Sequence, residues 1–361
     1  MMAKQWKVRA CILVLLFCVL VAGPGGKLSA RQADRPRSVV SVDPAAYGMF
    51  TKMVDCQGIA IRGSSAVKDT SLLIVCGKLR RMLSTLPTMR NNLAVEGAEV
   101  RVAASGQPLT TLPGYLGDTT PYPAGAVLGQ LFVSCPESDL LALQRSDPNA
   151  LDTCTIAIAQ LIFEAGFGPS VRADITKQLA TSLHSGLWQG VVREKAAHIY
   201  WDQLSVWYFG GKGTSPADQQ LASGPNALKS YDPKGFALLD RFYKGERQPG
   251  EITMLTLAKH GASDSLRTAL GPDVQTVFQN DTTANLIIAR FYTEPGEDPF
   301  DYSAAGRQDK EIFEMKPLTR RVLPCTRNDI WVVVSPQGKE LGKWLPNGET
   351  SYIHLTSLNA D

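Results

Sequence analysis

The stretch Thr153–Ala165 reads TCTIAIAQLIFEA and carries apolar side chains on nearly every side of a helix. A surface helix has a single apolar stripe, whereas a helix that is apolar all round is buried. The stretch therefore predicts a central, buried helix that ends near Gly166, with other elements packed around it.

The residues before this helix predict the order strand, helix, strand. Residues 54–62 and 95–104 alternate apolar and polar side chains, which is typical of strands. Between them, residues 66–83 repeat apolar side chains at helical spacing. A long loop rich in Gly, Pro and Thr follows at 105–130, and such loops tend to be functional or mobile. A short helix is expected at 136–144.

The residues after the central helix predict more helices and then strands. Amphipathic helices are expected at 171–183, 193–209 and 236–243, and the second of these carries a heavy aromatic load. Beyond about residue 250, short alternating stretches are separated by turn signals, which is typical of strands. The predicted fold class is therefore α+β, with a mixed domain over 53–248 followed by a small all-β sandwich domain over 249–361.

The first thirty residues have the parts of a secretory signal peptide, because a basic start precedes an unbroken apolar run at 10–22. A helix of that length extends about 20 Å, which is short of the roughly 30 Å hydrocarbon core of a bilayer. We expect residues 1–30 to be removed and residues 31–52 to form an N-terminal arm. The mature chain is expected to be secreted and extracellular, with no membrane span; an uncleaved anchor is the alternative.

Composition and charge exclude several protein classes. With 44% hydrophobic and 20% charged residues in 361, the chain is globular rather than disordered. Four of its 37 basic residues lie in the leader, which has no acid, so the remainder carries 33 bases against 34 acids. Nucleic-acid binding requires a basic surplus, so no nucleic-acid partner is expected. The expected partner is an unidentified extracellular protein or matrix component.

Secretion permits disulfide bonds. The cysteines that remain after the leader are Cys56, Cys76, Cys135, Cys154 and Cys325. Because their number is odd, at most two intramolecular bridges form and at least one thiol is left over. None of the spacings is CxxC, so a zinc knuckle is not expected. The sequon Asn280-Asp281-Thr282 makes Asn280 a candidate glycosylation site.

The order of seven stretches resembles that of the anthrax lethal factor-like zinc metallopeptidases. The stretches cover roughly residues 53–245 and are VDCQGIAIRGS, GAEVRVAASGQPLTTLPG, FVSCPESDLLAL, TIAIAQLIF, SGLWQGVV, HIYWDQLSVWYF and SYDPKGFALLDRFY. The resemblance implies a zincin-like fold for this domain. In active members, a His-Glu-x-x-His helix binds zinc and its Glu activates the bound water.

The positions that the resemblance assigns to this zinc site have lost their chemistry. The two histidines fall on Ala159 and Phe163, and the catalytic glutamate falls on Gln160. A ligating glutamate, a second glutamate and a tyrosine of the family fall in that order on Ile199, Gln203 and Val192. The resemblance therefore implies a degenerate member without metal, cofactor or catalytic residue.

The expected function is that of a secreted, non-catalytic pseudo-metallopeptidase that acts as an extracellular binding or structural matrix protein. The alternative is a secreted enzyme with a rebuilt, metal-independent active site in the former cleft, lined by the aromatic helix and the loop 105–130. Its candidate residues are His198 and Asp202, one turn apart on a helix, and Glu164. We favour a surface pair for the first two and a solvent-facing carboxylate for the third.

The C-terminal segment resembles a von Hippel–Lindau-type β-sandwich domain. The stretches that carry this resemblance are VFQNDTTANLIIARFY and RRVLPCTRNDIWVVVSPQGKEL, in which Trp331 fits a buried strand tryptophan and Gly338 fits the turn after it. The resemblance implies a partner-binding module without catalysis of its own.

Overall fold

A mixed sheet of five strands forms the first part of the chain. The strands are neighbours in sequence order: β1 (Val40–Ala46), β2 (Phe50–Cys56), β3 (Ile59–Gly63), β4 (Glu99–Ala103) and β5 (Phe132–Pro136). The pairs β1–β2 and β2–β3 are antiparallel, and β3–β4 and β4–β5 are parallel. A parallel neighbour requires a crossover. Between β3 and β4 the crossover contains the helices α1 (Asp69–Met82) and α2 (Pro87–Val95).

The computed structural model describes residues 38–115, 131–147, 149–189, 196–213, 224–254, 273–292, 309–317, 319–326 and 329–355. Residues from Val39 onward form one compact unit. No helix within these ranges is long and apolar enough to cross a membrane. The expected signal peptide lies outside the described residues.

Further helices follow β5: α3 (Glu137–Gln144), α4 (Thr153–Leu161), α5 (Pro169–His184), α6 (Ala197–Tyr208), α7 (Pro225–Tyr231) and α8 (Pro233–Tyr243). Every residue of α4 is buried, as its sequence predicts, and a π-helical turn (Ile162–Gly166) continues it. Asp152 begins the helix, because its side chain accepts a hydrogen bond from the backbone nitrogen of Thr155 at 3.0 Å.

The helices cover one face of the five-stranded sheet. Side chains of a strand alternate between the two faces, and Val100 and Val102 of β4 share a buried core with residues of α4 and α6. Trp201 and Trp207 of α6 are buried in this core. The aromatic residues predicted on this helix therefore build the interior of the protein.

The opposite face carries a smaller apolar cluster and two charged residues. The cluster consists of Phe50, Ala103, Leu112, Tyr115 and Phe132. Glu99 and Arg101 alternate with the core valines of β4, so their side chains lie on this face. Residues 109–115 of the long loop also pack here, and not beside α6 as the enzyme alternative expected. The rest of that loop, residues 116–130, lies outside the described residues.

A β-sandwich follows the helices. Its strands are β6 (Ile252–Met254), β7 (Asp273–Asn280), β8 (Leu286–Tyr292), β9 (Asp309–Met315), β10 (Thr319–Thr326), β11 (Asp329–Val334), β12 (Glu340–Trp344) and β13 (Thr350–Leu355). One sheet has the order β10-β7-β13-β6, and the other, β12-β11-β8-β9, is antiparallel throughout. The two sheets share one apolar core, in which Phe278 lies 5.2 Å from the buried ring of Trp331.

Two sequence predictions about the first strands are wrong. The stretch 54–62 is not one strand, because Gln57 and Gly58 have positive φ and join β2 to β3 in a hairpin. A side chain at Gly58 would also meet Cβ of Ala94 at 2.8 Å. The N-terminal arm expected at 31–52 is not a separate segment where it is described, since residues from Val40 form β1 and part of β2 of the sheet.

The sandwich contacts the helical part through buried polar groups. Glu96, which ends α2, forms an ion pair with Arg320 of β10, and both side chains are almost fully buried. Asn92 of α2 donates to the carbonyl oxygen of Gly250 at 2.8 Å and accepts from the backbone nitrogen of Ile252 at 3.0 Å. These contacts place the end of α2 against the start of the sandwich.

Candidate functional site

Helix α4, the π-helical turn after it and helix α6 hold the described residues that the zincin resemblance assigns to a metal site. The two helices are in direct contact, since the indole nitrogen of Trp201 donates to the carbonyl oxygen of Ala159 at 3.1 Å. Ala159, Gln160 and Phe163 are all buried. The structure therefore places these three residues in the core, and the Trp201–Ala159 hydrogen bond links them to α6.

Of the other positions that the resemblance assigns to the zinc site, Ile199 and Gln203 are described. Ile199 is partly buried and packs against the core that contains Ala159 and Phe163, and Gln203 is buried. The ring of Phe163 lies 6.3 Å from the ring of His198, the neighbour of Ile199. Val192 lies outside the described residues.

The alternative catalytic candidates do lie near one another, but Asp202 is not the surface residue that we favoured. Burial, followed by the charge of Glu164, raises the pKa of Asp202 well above its usual range. Burial lowers the pKa of His198, and Glu164 opposes that shift. Glu164 is half-buried in the π-helical turn. The surface interpretation failed because α6 is buried on almost all sides.

Oδ1 of Asp202 has no hydrogen-bond partner among the described residues. A neutral carboxyl group with a raised pKa can act as a general acid. Its residue is only 4% exposed, however, so a substrate has little access to it. The buried member of the cluster is therefore Asp202, whereas Glu164 and His198 are partly exposed.

A second buried carboxylate, Asp232, was missed by the sequence analysis. Its Oδ2 accepts hydrogen bonds from Ser182 at 2.8 Å, Trp188 at 2.9 Å and Tyr200 at 2.7 Å. Its Oδ1 accepts from the backbone nitrogen of Gly235 at 2.8 Å, which caps α8. All of these contacts connect structural elements, so Asp232 stabilises the helical layer.

A cavity of about 590 Å³ lies on the other face of the five-stranded sheet, between that sheet and the sandwich. One wall consists of Tyr47, Glu99, Arg101 and Phe132, and the other includes Tyr352. Ligand cavities of proteins usually enclose roughly 300–1,000 Å³ and combine aromatic walls with a few fixed polar groups. Volume and lining both agree with that description.

The charged groups of the first wall are held in fixed positions. Glu99 accepts from Nε of Arg62 at 2.7 Å and from Nη2 of Arg101 at 3.1 Å. Arg101 also donates to the carbonyl oxygen of Pro113 at 2.5 Å, and its guanidinium lies 3.7 Å from the ring centre of Phe132. Arg101 and Glu99 line the cavity as an ion pair, and Arg62 holds Glu99 from outside the lining. Because each group already has protein partners, the wall does not need to rearrange to meet a ligand.

The sandwich supplies the second wall. Nε2 of His354 lies 2.5 Å from a carboxylate oxygen of Asp281, and Asp281 also accepts from Gln279 at 2.6 Å. Oε1 of Gln279 is buried and has no hydrogen-bond partner among the described residues. Because this oxygen is not exposed to solvent, a ligand in the cavity does not reach it in the present side-chain position. The acceptor that this wall offers to an N–H or O–H group of a ligand is the carboxylate of Asp281, whose side chain is 38% exposed.

A second cavity, of about 700 Å³, lies on the sandwich beside β8 and β9. Its lining includes Ile287, Ile312 and Phe313, and Ile312 is 56% exposed. This cavity lacks the fixed ion pairs of the first, so it is the weaker candidate for a specific ligand.

Sequence reasoning missed the first cavity. The available signal was a pair of charged residues, Glu99 and Arg101, at alternate positions of a strand whose other residues are apolar. Charged side chains are rarely buried without a partner. The other wall of the cavity includes Tyr352, about 250 residues further along the chain, and no local pattern predicts that the two walls lie opposite each other.

The geometry around Asn280 does not favour the glycosylation that its sequon suggested. Asn280 is fully buried, and its side-chain nitrogen, the atom that would carry a glycan, donates to the carbonyl oxygens of Ala284, Met315 and Lys316. Its oxygen accepts from the backbone nitrogen of Thr282 at 3.0 Å. The side chain therefore fixes the turn after β7, and a glycan would remove these bonds.

The five cysteines form one disulfide bond and leave three thiols, in agreement with the expectation that at least one thiol is left over. Cys56 and Cys76 form a disulfide bond between β2 and α1. Cys135, Cys154 and Cys325 are buried thiols. In the part of the chain that the structure describes, no group of three or more His, Cys, Asp or Glu side chains is arranged to hold a metal ion.

Comparison with known protein families finds no family model that matches this chain, and comparison with curated proteins finds no matching relative.

Proposed function

We propose that this chain is a secreted, non-catalytic binding protein with a degenerate zincin-like domain, and that it binds a small polar ligand in the cavity between the five-stranded sheet and the sandwich. The ligand is a free molecule or a polar group of an extracellular partner. Secretion is supported by the leader pattern and by the Cys56–Cys76 disulfide bond, because disulfide bonds persist mainly in oxidising compartments.

The packing of α4 against α6 supports a non-catalytic role. Zinc peptidases need two histidines and a glutamate that face an open coordination position. Here Ala159, Phe163 and Ile199 stand at the positions that the resemblance assigns to the ligands, and they contribute to an apolar core. Gln160 stands where the resemblance expects the catalytic glutamate, and an amide does not take a proton from water.

The observation that carries the binding function is the lining of the cavity. Aromatic rings of Tyr47 and Phe132 line the cavity together with the fixed Glu99–Arg101 pair, and the carboxylate acceptor of Asp281 lines it from the sandwich side. Flat rings provide apolar contact, the charged pair orients polar groups, and the acceptor selects a donor. The expected ligand is therefore a small molecule with a hydrogen-bond donor and a flat apolar face.

The test is a binding screen with a library of small polar fragments, read by ligand-observed NMR. We expect fragments that bind the wild-type chain to lose binding in Val95→Trp, because Val95 lines the cavity and is exposed enough to accept a larger ring without disturbing the core. We expect Asp281→Ala to weaken donor-carrying fragments by roughly tenfold, because it removes an exposed acceptor of the cavity wall, and a tenfold loss corresponds to about 1.4 kcal/mol.

The matched control is Leu73→Trp, since Leu73 is an exposed apolar residue on α1 and does not line the cavity. This variant should bind every fragment that the wild type binds. If fragments bind Val95→Trp as well as the wild type, or if none binds the wild type, the cavity is not the binding site.

The cluster of Asp202, His198 and Glu164 favours a second candidate, the rebuilt, metal-independent enzyme. Perturbed pKa values gather at active sites, and this cluster has two of them. The burial of Asp202 opposes this function, because a catalytic acid must reach its substrate.

A further inference from the structure

We propose that Cys135 and Cys154 form a second disulfide bond, which joins β5 to the first turn of α4. Their sulfur atoms lie 2.9 Å apart. Nonbonded carbon atoms pack about 3.5–4.0 Å apart, and sulfur is the larger atom. Two thiols at this distance are closer than unbonded sulfurs pack, so a small movement brings them to bonding distance.

The surroundings of the pair favour the bond over two free thiols. Both residues are essentially fully buried in the core that β5 shares with α4, where a covalent link replaces two weak polar groups. The adjoining Cys154 and burial raise the pKa of the Cys135 thiol. The third thiol, Cys325, lies in the separate core of the sandwich, 3.3 Å from Oγ1 of Thr276, and is not a competing partner.

The bond forms by exchange with an external disulfide oxidant, such as glutathione disulfide or a dithiol oxidase. One thiolate of the pair attacks a sulfur of the oxidant and releases one thiol. The second thiolate then attacks the mixed disulfide and releases the other. The two protein thiols lose two protons and two electrons, and the oxidant gains them as two thiols. Exchange requires a thiolate, so it takes place before α4 closes over β5.

Tryptic mapping tests this assignment on the secreted full-length protein, unfolded in an excess of maleimide so that free thiols are labelled. Trypsin cleaves after Arg145, which separates the two cysteines into peptides 102–145 and 146–172. We expect these peptides to be joined and unlabelled before reduction, and to separate after it. Peptides 53–62 and 69–78, joined through Cys56 and Cys76, are the positive control.

Peptide 322–327, which contains Cys325, is expected to be fully labelled and shows that the maleimide reached free thiols. In Cys154→Ala, peptide 102–145 should become labelled, because Cys135 has lost its partner. If 102–145 and 146–172 are each labelled in the wild type while 53–62 remains joined to 69–78, the second bond does not exist.

Discussion

The burial of Asp202 changes its pKa and its expected effect on stability. It lies one turn from His198 on α6, a spacing that suggests a surface pair. In the structure both faces of that helix meet other elements, and burial raises the pKa of Asp202. An acid whose folded pKa exceeds its unfolded pKa makes its full contribution to stability below the unfolded value. That contribution is lost as pH rises toward the folded pKa.

Asp202→Asn is therefore expected to stabilise the protein, by about 1–3 kcal/mol near pH 8, because the amide resembles the neutral acid and cannot ionise. The advantage should shrink toward about pH 4, where aspartic acid is protonated in the unfolded chain as well. Urea unfolding of the wild type and of Asp202→Asn between about pH 4 and pH 8 measures this difference in stability.

The control for this variant is Asp69→Asn, since Asp69 is an exposed acid of α1 that pairs with Lys52. Its effect should stay within about 1 kcal/mol at every pH. An Asp202→Asn protein that is less stable than the wild type at pH 8 would contradict the raised pKa. Loss of an enzymatic activity without loss of stability would favour the rebuilt-enzyme alternative.

At the scale of elements, the sequence predicted the helices that have a clear local pattern of apolar or aromatic residues. The fully apolar stretch around Ile158 became a buried helix, and the aromatic stretch around Trp201 became its neighbour. Helix α2 was missed because only its Met89, Asn92 and Leu93 are buried, which is too few for a clear period.

The proposal that the zinc ligands of the family are absent from α4, the turn after it and α6 can be tested by measuring metal content. Purified protein is expected to contain no stoichiometric zinc, and a chelator should leave its melting temperature unchanged, because Ala159, Phe163 and Ile199 offer no ligand atoms. Elemental analysis and a thermal melt with and without chelator measure this.

The comparison variant restores the ligand set as Ala159→His, Gln160→Glu, Phe163→His and Ile199→Glu. We expect weak zinc binding at best, because the supporting residues are still missing and such losses cost roughly 10–100-fold in affinity or activity. One zinc per chain in the unmodified protein would overturn the degenerate assignment.

At the scale of the whole molecule, the sandwich and the helical part meet through groups that no local pattern links. Glu96 and Arg320 are separated by 224 residues, and the hydroxyl of Tyr352 lies 3.5 Å from the carbonyl oxygen of Glu96. Burial raises the pKa of Glu96, and Arg320 opposes that shift. The same contact forms part of the cavity wall, since Glu96 and Tyr352 both line it. The candidate binding site therefore depends on the docking of the two parts.

Arg320→Met is expected to reduce the free energy of unfolding by about 3–5 kcal/mol, because it leaves Glu96 buried without its cation. Adding Glu96→Gln should recover most of that loss, since the double variant no longer buries a charge. Urea unfolding of the two single variants and the double variant measures the coupling. Lys244→Met is the control, because Lys244 forms an exposed pair with Asp240 and should cost no more than about 1 kcal/mol. If Arg320→Met unfolds like the control, the buried pair does not hold the sandwich against α2, and the cavity between them would not depend on it.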